Sequence, residues 1–426
     1  MMEVLVVGKP TMNIYLPLQE FPAEGDIFNI RGKNESLGNV AATAAVLLGK
    51  WGISTHVTGV TGNDAYGEKI RDTFKEYKIN TKYLETDFER STPANYIILN
   101  VKTGMVTKVL YNDPEMGAKK YKYDFRPTWA ILDGSDQLAS HALLNNDASV
   151  KTVFYARVGD RDTIAMSKRC THVVCTQTFA EQLTKTTTDF SAESLVAFYQ
   201  RIVDAVGSSN YVVILNNHKI LYSEEGKVKM LPEMKINEAD KSSFDSVFTS
   251  ALSFGLICGL SMNDAIKLGN TAAAMSLSKI GEAAAVPELD DVLANSGLKE
   301  KLDAAIKGEE VDPNASVAVE PAPLNQEYAA PAQETVPVME QAPVEATPTV
   351  QEYNISPDVQ VQVVPQGMEA QPNAFEAAPV QEPMVQQMPV EQTVAPQMPV
   401  EGVPTPVEMP QVVAPQPVDP TNTTNV

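Results

Sequence analysis

Short apolar runs that alternate with helical segments constrain the fold of this chain more than any other feature of its sequence. The first run, Glu3–Val7, is rich in β-branched residues and ends at Gly8. A strand that is buried on both faces has such a run, and parallel neighbours need a helical crossover between them. The repeated order therefore predicts a doubly wound parallel sheet with helices on both faces. Further strands are predicted at Thr55–Val60, Thr81–Glu85, Trp129–Leu132, Thr152–Ala156, His172–Cys175 and Tyr211–Leu215.

The helical segments have apolar residues at helical spacing and recognisable ends. Asn39–Gly52 is rich in alanine, is apolar at positions i, i+3 and i+4, and ends at a glycine. The remaining helices are predicted at Ala65–Tyr77, Phe179–Leu183, Ala192–Val206, 245–259 and Met262–Ile280, with a terminal helix after Pro287.

Two segments have strand character but interrupt this alternation. Residues 10–32 alternate loosely between apolar and polar and contain Pro17 and Pro22, which indicates edge strands outside the main sheet. Ala94–Val101 and Met105–Tyr111 are separated by Lys102, Thr103 and Gly104 and predict a hairpin.

The composition changes abruptly after about residue 310. Residues 311–426 hold 21 of the 29 prolines and 15 of the 54 acidic residues, and they contain no Lys, Arg or Cys. Such a segment cannot bury enough apolar surface to offset its chain entropy. The sequence thus predicts a folded domain over residues 1–310 and a disordered, acidic tail over 311–426. A tail that docks onto a protein partner is the alternative interpretation.

Charge and composition exclude several classes of function. The net charge of −21 leaves no basic face for a nucleic acid, and no apolar stretch approaches the length of a membrane span. The N-terminus lacks the basic region of a signal peptide, and three cysteines do not make a disulfide framework. The four histidines have no metal-like spacing, so no metal site is predicted. We expect a cytoplasmic protein without a nucleic-acid or membrane partner.

One stretch, Asp240–Leu256, carries the strongest functional signal. Its sequence is DKSSFDSVFTSALSFGL, and it resembles the segment D-T-x-G-A-G-D-x-F-x-x-G-x-x-x-G-L of the ribokinase (PfkB-type) carbohydrate kinases. Gly59–Gly67, with the sequence GVTGNDAYG, is similar to the G-x-V-G-x-D-x-F-G of the same family. Gly38 and Asn39 fit its first signature, in which glycines precede Asn-x-Ala. The resemblance extends over nearly all of residues 1–300.

The resemblance implies an architecture. It predicts a ribokinase-like sheet with a small β-lid, formed by segments near 10–32 and 93–112, above the sugar site. Because such lids often pair, it also implies a possible homodimer through the lid.

The resemblance further implies where phosphoryl transfer would occur. The glycines of the family motif expose backbone N–H groups at a helix N-terminus to the transferred phosphate, and the following aspartate takes the proton of the sugar hydroxyl. Here the three glycine-loop positions hold Ser243, Phe244 and Asp245, next to Ser242, and the position of the base holds Ser246.

The other family positions also carry altered residues. Asn13 replaces the sugar-binding aspartate, whereas Gly38 and Asn39 remain as sugar-side residues. The N-x-x-E motif that organises magnesium falls on Thr176 and Phe179. The nucleotide turn contains no glycine but has Asn216, Asn217, His218 and Lys219, with Asn216 and Lys219 as candidate nucleotide contacts.

Three interpretations remain open at this point. The first is a kinase-like protein that has lost catalysis and serves a binding, regulatory or scaffold role. The second is an active ATP-dependent sugar or nucleoside kinase that uses Mg²⁺, in which a shorter loop makes Asp245 the base. The third is a different phosphoryl-transfer or ligand-binding use of the same cleft, in which Asn13 and Asn39 hold a polyol. Asn39 and Asp64 could instead only cap their helices.

Deleting residues 311–426 is expected to leave the melting temperature of the folded domain unchanged, because the tail has too little apolar surface to pack. Differential scanning calorimetry of the full and truncated chains measures this. A large drop on truncation would show that the tail packs on the domain.

Overall fold

The computed structural model describes residues 3–30, 32–207, 210–224, 226–232, 234, 236 and 238–308 of the chain. The predicted tail, 311–426, lies outside these residues.

Thirteen strands and ten helices are distributed along the described residues. The strands are β1 (Val4–Val7), β2 (Thr11–Leu18), β3 (Asn34–Gly38), β4 (Thr55–Gly62), β5 (Asn80–Asp87), β6 (Ala94–Asn100), β7 (Val106–Tyr111), β8 (Trp129–Leu132), β9 (Lys151–Ala156), β10 (His172–Thr176), β11 (Asn210–Ile214), β12 (Ile220–Glu224) and β13 (Lys227–Leu231). The helices are α1 (Asn39–Lys50), α2 (Ala65–Glu76), α3 (Gln137–Asn146), α4 (Arg161–Ser167), α5 (Gln177–Thr184), α6 (Ala192–Val206), α7 (Phe244–Ile257), α8 (Met262–Ser276), α9 (Leu289–Ser296) and α10 (Lys299–Lys307).

Nine strands form the main sheet in the order β13-β12-β11-β10-β9-β8-β1-β4-β5. The seven from β11 to β5 are parallel, and β12 and β13 add an antiparallel hairpin at one edge. The predicted doubly wound sheet is confirmed. The edge hairpin was not predicted, because only the strand before it has a continuous apolar run.

The four remaining strands form a second sheet in the order β3-β2-β6-β7, which we call the lid. The hairpin of β6 and β7 agrees with the prediction, but the lid reaches further than the predicted segment 10–32. Its strand β3 begins at Asn34, and residues 19–30 and 32–33 contain no strand. Pro22 and Gly25 lie in this irregular stretch, where they interrupt regular pairing.

Helices cover both faces of the main sheet, as alternate residues of β1 show. Val4 and Val6 pack in one apolar core together with α1, α7 and α8, whereas Leu5 and Val7 pack in a second core with α3, α5 and α6. The two cores hold the sheet rigidly between them. Side chains at the ends of its strands are therefore held in fixed positions.

Helix ends follow local capping rules more closely than apolar spacing. The Asp64 carboxylate accepts a hydrogen bond from Gly67 N at 2.8 Å and so caps α2, as one interpretation of the sequence expected. Helix α8 ends at Ser276, four residues before the predicted end.

Strand order places a crevice at the carboxyl ends of β1 and β8. From β1 the chain runs first to β4 and β5 on one side and later to β8 and its successors on the other. Ligands of open α/β sheets bind where the order reverses in this way. Val7 lies beside Leu132 in the register of the two strands, so Gly8 and Asp133 follow side by side.

The described residues contain no helix long and apolar enough to cross a membrane. Cys170, Cys175 and Cys258 are all buried, and burial raises the pKa of the Cys170 and Cys258 thiols to about 11.

Replacing Gly67 with alanine is expected to destabilise the domain by about 1–3 kcal/mol, because a Cβ there would lie 2.2 Å from the backbone oxygen of Gly62. Urea denaturation of Gly67→Ala measures the loss. Gly32→Ala is the matched control, since its Cβ would meet nothing within 4 Å, and it should be neutral. If both variants are as stable as the wild type, the result would contradict the close contact between Gly67 of α2 and Gly62 of β4.

Candidate functional site

A cleft of about 920 Å³ lies between the lid and the carboxyl ends of the central strands. Its walls come from the ends of β1, β8, β9, β10 and β11, from the N-termini of α1 and α7, and from β6 and β7 of the lid. Groups able to bind or react with a polar ligand therefore meet in one place. They include Lys9, Asn39, Lys108, Asp245, Ser246 and Glu282.

Asp240 fixes the loop that leads into α7. Its carboxylate accepts hydrogen bonds from Ser242 N at 2.8 Å and from Gly281 N at 3.0 Å, and the residue is fully buried. Burial raises the pKa of Asp240, although the two N–H donors oppose this. Lys241 N donates to Gly104 O of the lid turn at 3.1 Å. Two backbone donors of this loop are thus already bonded within the protein.

The first two glycine-loop positions, Ser243 and Phe244, do not have the role that the family resemblance implies. Residues 241–243 form a 3₁₀ turn, and the buried Ser243 Oγ lies 2.9 Å from Ser276 Oγ of α8. Phe244 is also buried, and its ring stacks on His218 at 4.4 Å between centroids and 7° between planes. A stacked aromatic pair therefore joins the start of α7 to the nucleotide turn.

Asp245 points into the cleft. Its carboxylate accepts a 2.7 Å hydrogen bond from the hydroxyl of Tyr155, at the end of β9. Burial, together with the nearby carboxylate of Asp245, raises the pKa of Tyr155, so the phenol stays neutral and donates. An acidic residue in the first turn also interacts favourably with the helix dipole.

Ser246, at the family position of the base, donates to a carboxylate that the sequence analysis missed. Its Oγ lies 2.9 Å from Glu282 Oε2, and Asn39 N donates to the same oxygen at 2.9 Å. Lys108 Nζ of the lid lies 2.9 Å from Glu282 Oε1. The sequence offers no functional signal for Glu282 beyond its position directly after a glycine, Gly281.

Asn13 and Gly38 are packed against each other, and neither is among the residues that line the cleft. A Cβ at Gly38 would lie 2.1 Å from Asn13 Nδ2, so only glycine fits there. Asn13 Oδ1 accepts from Asn95 Nδ2 at 2.8 Å, and Asn13 Nδ2 has no hydrogen-bond partner within the described part of the chain. A buried amide of this kind is a candidate donor to a ligand.

Asn39 serves as a cap at the N-terminus of α1. Its Oδ1 accepts from Ala42 N at 2.9 Å, and its Nδ2 donates to Thr11 Oγ1 at 3.2 Å and to Lys9 O. Its backbone has a φ of 66°, which asparagine tolerates better than most residues. The capping interpretation is confirmed, and the residue also lines the cleft.

The magnesium motif positions carry structural residues. Thr176 caps α5 by accepting from Phe179 N at 3.1 Å, and Phe179 is fully buried in the second core. Over the residues that the structure describes, no group of three His, Cys, Asp or Glu side chains is placed to hold a metal ion.

The nucleotide turn is divided between the cleft and the surface. Asn216 lines the cleft, and its N–H donates to Gln177 Oε1 at 3.1 Å. Lys219 N donates to Asn217 Oδ1 at 3.3 Å, and Lys219 is not among the cleft-lining residues.

Comparisons with known proteins agree with this architecture. The description "pfkB family carbohydrate kinase" matches residues 1–289. The ribokinase of Lactococcus lactis is 20% identical over 306 residues, which cover 69% of this chain and 97% of that protein. The ribokinase of Cryptococcus neoformans, in a complex with ADP, superposes with a TM-score of 0.57 at 18% identity and covers 69% of this chain and 99% of its own. The Arabidopsis thaliana ribokinase, in a complex with ribose and ATP, gives a TM-score of 0.55 at 19% identity, covering 68% and 97%.

Asp240→Ala is expected to destabilise the domain by about 2–4 kcal/mol, because it removes a cap and leaves two amide donors unbonded, one of them buried at Gly281. Ser261→Ala, which removes only the exposed cap of α8, is the control and should cost about 1 kcal/mol. Urea unfolding curves compare the two variants. Equal losses would contradict the central role of Asp240.

Proposed function

Because the chain belongs to the pfkB family of carbohydrate kinases, we propose that it binds a sugar or nucleoside in the cleft and has lost phosphoryl transfer from ATP. The observation that carries this proposal is the state of the α7 N-terminus. The carboxylate of Asp245 lies in the first turn of this helix and is bonded to Tyr155. The ring of Phe244 stacks on His218 of the nucleotide turn, and Ser242 N is bonded to Asp240. The protein then serves as a sensor, regulator or scaffold.

Electrostatics support the loss of transfer. A helix N-terminus binds phosphate through free N–H groups and the positive end of its dipole. The carboxylate of Asp245 opposes an incoming anion at this point. Removing one preorganised donor of an anion hole costs roughly 10²–10³ in rate. Ser246 cannot replace the base, because its hydroxyl already donates to Glu282.

The nucleotide side does not fit Mg·ATP. Magnesium prefers oxygen ligands, but Phe179 offers none and is buried in the core. The imidazole of His218, in the nucleotide turn, stacks on the ring of Phe244 at the start of α7, so these two segments are in direct contact. No step of a reaction is therefore assigned to ATP or Mg²⁺ in this proposal.

The part of the cleft between the lid and α1 fits a polyol better than the nucleotide side fits Mg·ATP. Sugar hydroxyls both donate and accept hydrogen bonds, and this wall offers amides, a hydroxyl and charged groups. The groups that line it are Lys9, Thr11, Asn39, Asn95, Lys108 and Glu282. The buried Asn13 is not among these lining residues, but its Oδ1 accepts from Asn95 Nδ2 and so orients that amide.

An active kinase is the second candidate, and one observation favours it. Asp245 faces the cleft and is held by Tyr155, which is the arrangement that an oriented general base needs. ATP and Mg²⁺ would then be required, with the metal held through the nucleotide phosphates.

Two proposals about partners accompany the main one. The acidic segment 311–426 would recruit a protein partner, and the lid would pair with a second copy. The outer face of the lid supports pairing, since Tyr96 and Val109, which are paired on neighbouring strands, are 45% and 57% exposed.

Thermal-shift titration separates the two candidate functions. With Mg·ATP alone we expect no saturable rise in the melting temperature, because Asp245 opposes the phosphates and Phe179 offers magnesium no ligand. With a panel of pentoses, hexoses and nucleosides we expect a saturable rise for at least one compound. A rise with Mg·ATP together with turnover of labelled ATP that Asp245→Asn abolishes would favour the active kinase.

A gain-of-function variant provides a sharper test. Ser243→Gly, Phe244→Ala, Asp245→Gly and Ser246→Asp together restore the family sequence in the loop. If phosphoryl transfer was lost there, ATP-dependent phosphorylation of the bound sugar should rise by at least about 10²-fold over the wild type. A wild type that already turns over faster than this variant would contradict the proposal.

A further inference from the structure

We infer that the ion pair between Lys108 and Glu282 is a latch that holds the lid onto the N-termini of α1 and α7. The pair joins the lid strand β7 to the loop after α8, across the cleft. Neither residue belongs to the motifs that the sequence analysis singled out. The inference concerns the position of the lid and does not depend on the proposed function.

The lid side of the latch follows from strand alternation. Lys108 lies opposite Ile97 in the register of β6 and β7, and Val106, Lys108 and Leu110 all line the cleft. Successive side chains of a strand point to opposite faces, so this face of β7 looks into the cleft. Lys108 crosses from there to the body of the protein, and its side chain remains 30% exposed.

The body side of the latch is fixed in place. Glu282 is only 3% exposed, and both of its carboxylate oxygens are engaged. Oε1 meets Lys108, while Oε2 accepts from Asn39 N at the start of α1 and from Ser246 Oγ in α7. Glu282 therefore cannot follow the lid outward without losing hydrogen bonds to both helices.

The charges around the pair strengthen it. Burial alone would lower the pKa of Lys108, but Glu282, Asp240 and Asp245 outweigh burial and raise it. The ammonium group therefore stays charged, in contact with Glu282 and in the electrostatic field of Asp240 and Asp245. A charge pair with one buried partner is screened by salt far less than one at the surface.

The other polar contacts between lid and body are neutral or more exposed, while apolar lid residues such as Met12, Leu37 and Ala94 pack in the first core with α1 and α7. Near the loop before α7 there are two neutral hydrogen bonds, from Lys241 N to Gly104 O and between the hydroxyls of Tyr15 and Ser242, each 3.1 Å long. At the far side of the lid, Lys69 of α2 pairs with Glu35 of β3 at 2.7 Å, but the lysine is 45% exposed. Exposed pairs contribute little. Lys69 and Glu35 thus provide a matched control for the latch.

Hydrogen–deuterium exchange of the full chain tests the latch. Lys108→Met keeps the apolar stem and removes the charge, so exchange of peptides from 94–111 should be faster by about tenfold. Lys69→Met should change exchange of the lid by less than about twofold. Peptides from β1 and β10 should exchange as in the wild type for both variants, which identifies a local opening.

A second variant keeps the test decisive if Lys108→Met folds poorly. Lys108→Gln retains a hydrogen-bond donor without the charge, and we expect a smaller increase in the same peptides, of about threefold or more. Unchanged exchange over 94–111 in the folded Lys108 variants would overturn the latch. A tenfold faster exchange of the lid in Lys69→Met would also overturn it, because the exposed ion pair would then hold the lid as strongly as the pair of Lys108 and Glu282.

Discussion

A single buried carboxylate, that of Glu282, holds together the parts that surround the cleft. The helices α1 and α7 both point their N-termini at the carboxyl edge of the sheet, and helix N-termini carry unbonded N–H groups and partial positive charge. In a phosphotransferase these ends are kept free for a substrate or a phosphate. Here Glu282 accepts from the N–H of Asn39 in α1 and from the hydroxyl of Ser246 in α7. A protein group thus occupies the positive ends of both helices.

The changes at the family positions are consistent with each other in physical terms. With serine at position 246, a carboxylate can approach there without repulsion, and Glu282 does so. With phenylalanine at position 244, the imidazole of His218 gains a flat partner. With phenylalanine at position 179, the second core gains a large apolar side chain in place of a solvated acid. Each of these residues has a local structural role, in agreement with the proposal that phosphoryl transfer is lost.

The sequence predicted the frame of this protein better than its site. Strands such as Trp129–Leu132 and the helix Ala192–Val206 were predicted to the residue, because apolar period and capping are local properties. The hairpin β12–β13 was missed, since its strands are half polar and lie at an edge. The cap roles of Asn39 and Asp64 were foreseen as alternatives, whereas Glu282, Lys108 and Tyr155 were not identified. These three act across 36 to 243 residues of sequence, and no local pattern records a contact of that range.

The antiparallel hairpin at the edge of the main sheet has a consequence for the behaviour of the molecule in concentrated solution. An open parallel strand at that edge would present unpaired backbone groups to other chains. Instead the outermost strand is β13, which is short and carries the exposed lysines Lys227 and Lys229. Charged side chains on a short edge strand make the addition of a strand from another molecule unfavourable. The sheet is thereby protected from growing into intermolecular β-aggregates on this side.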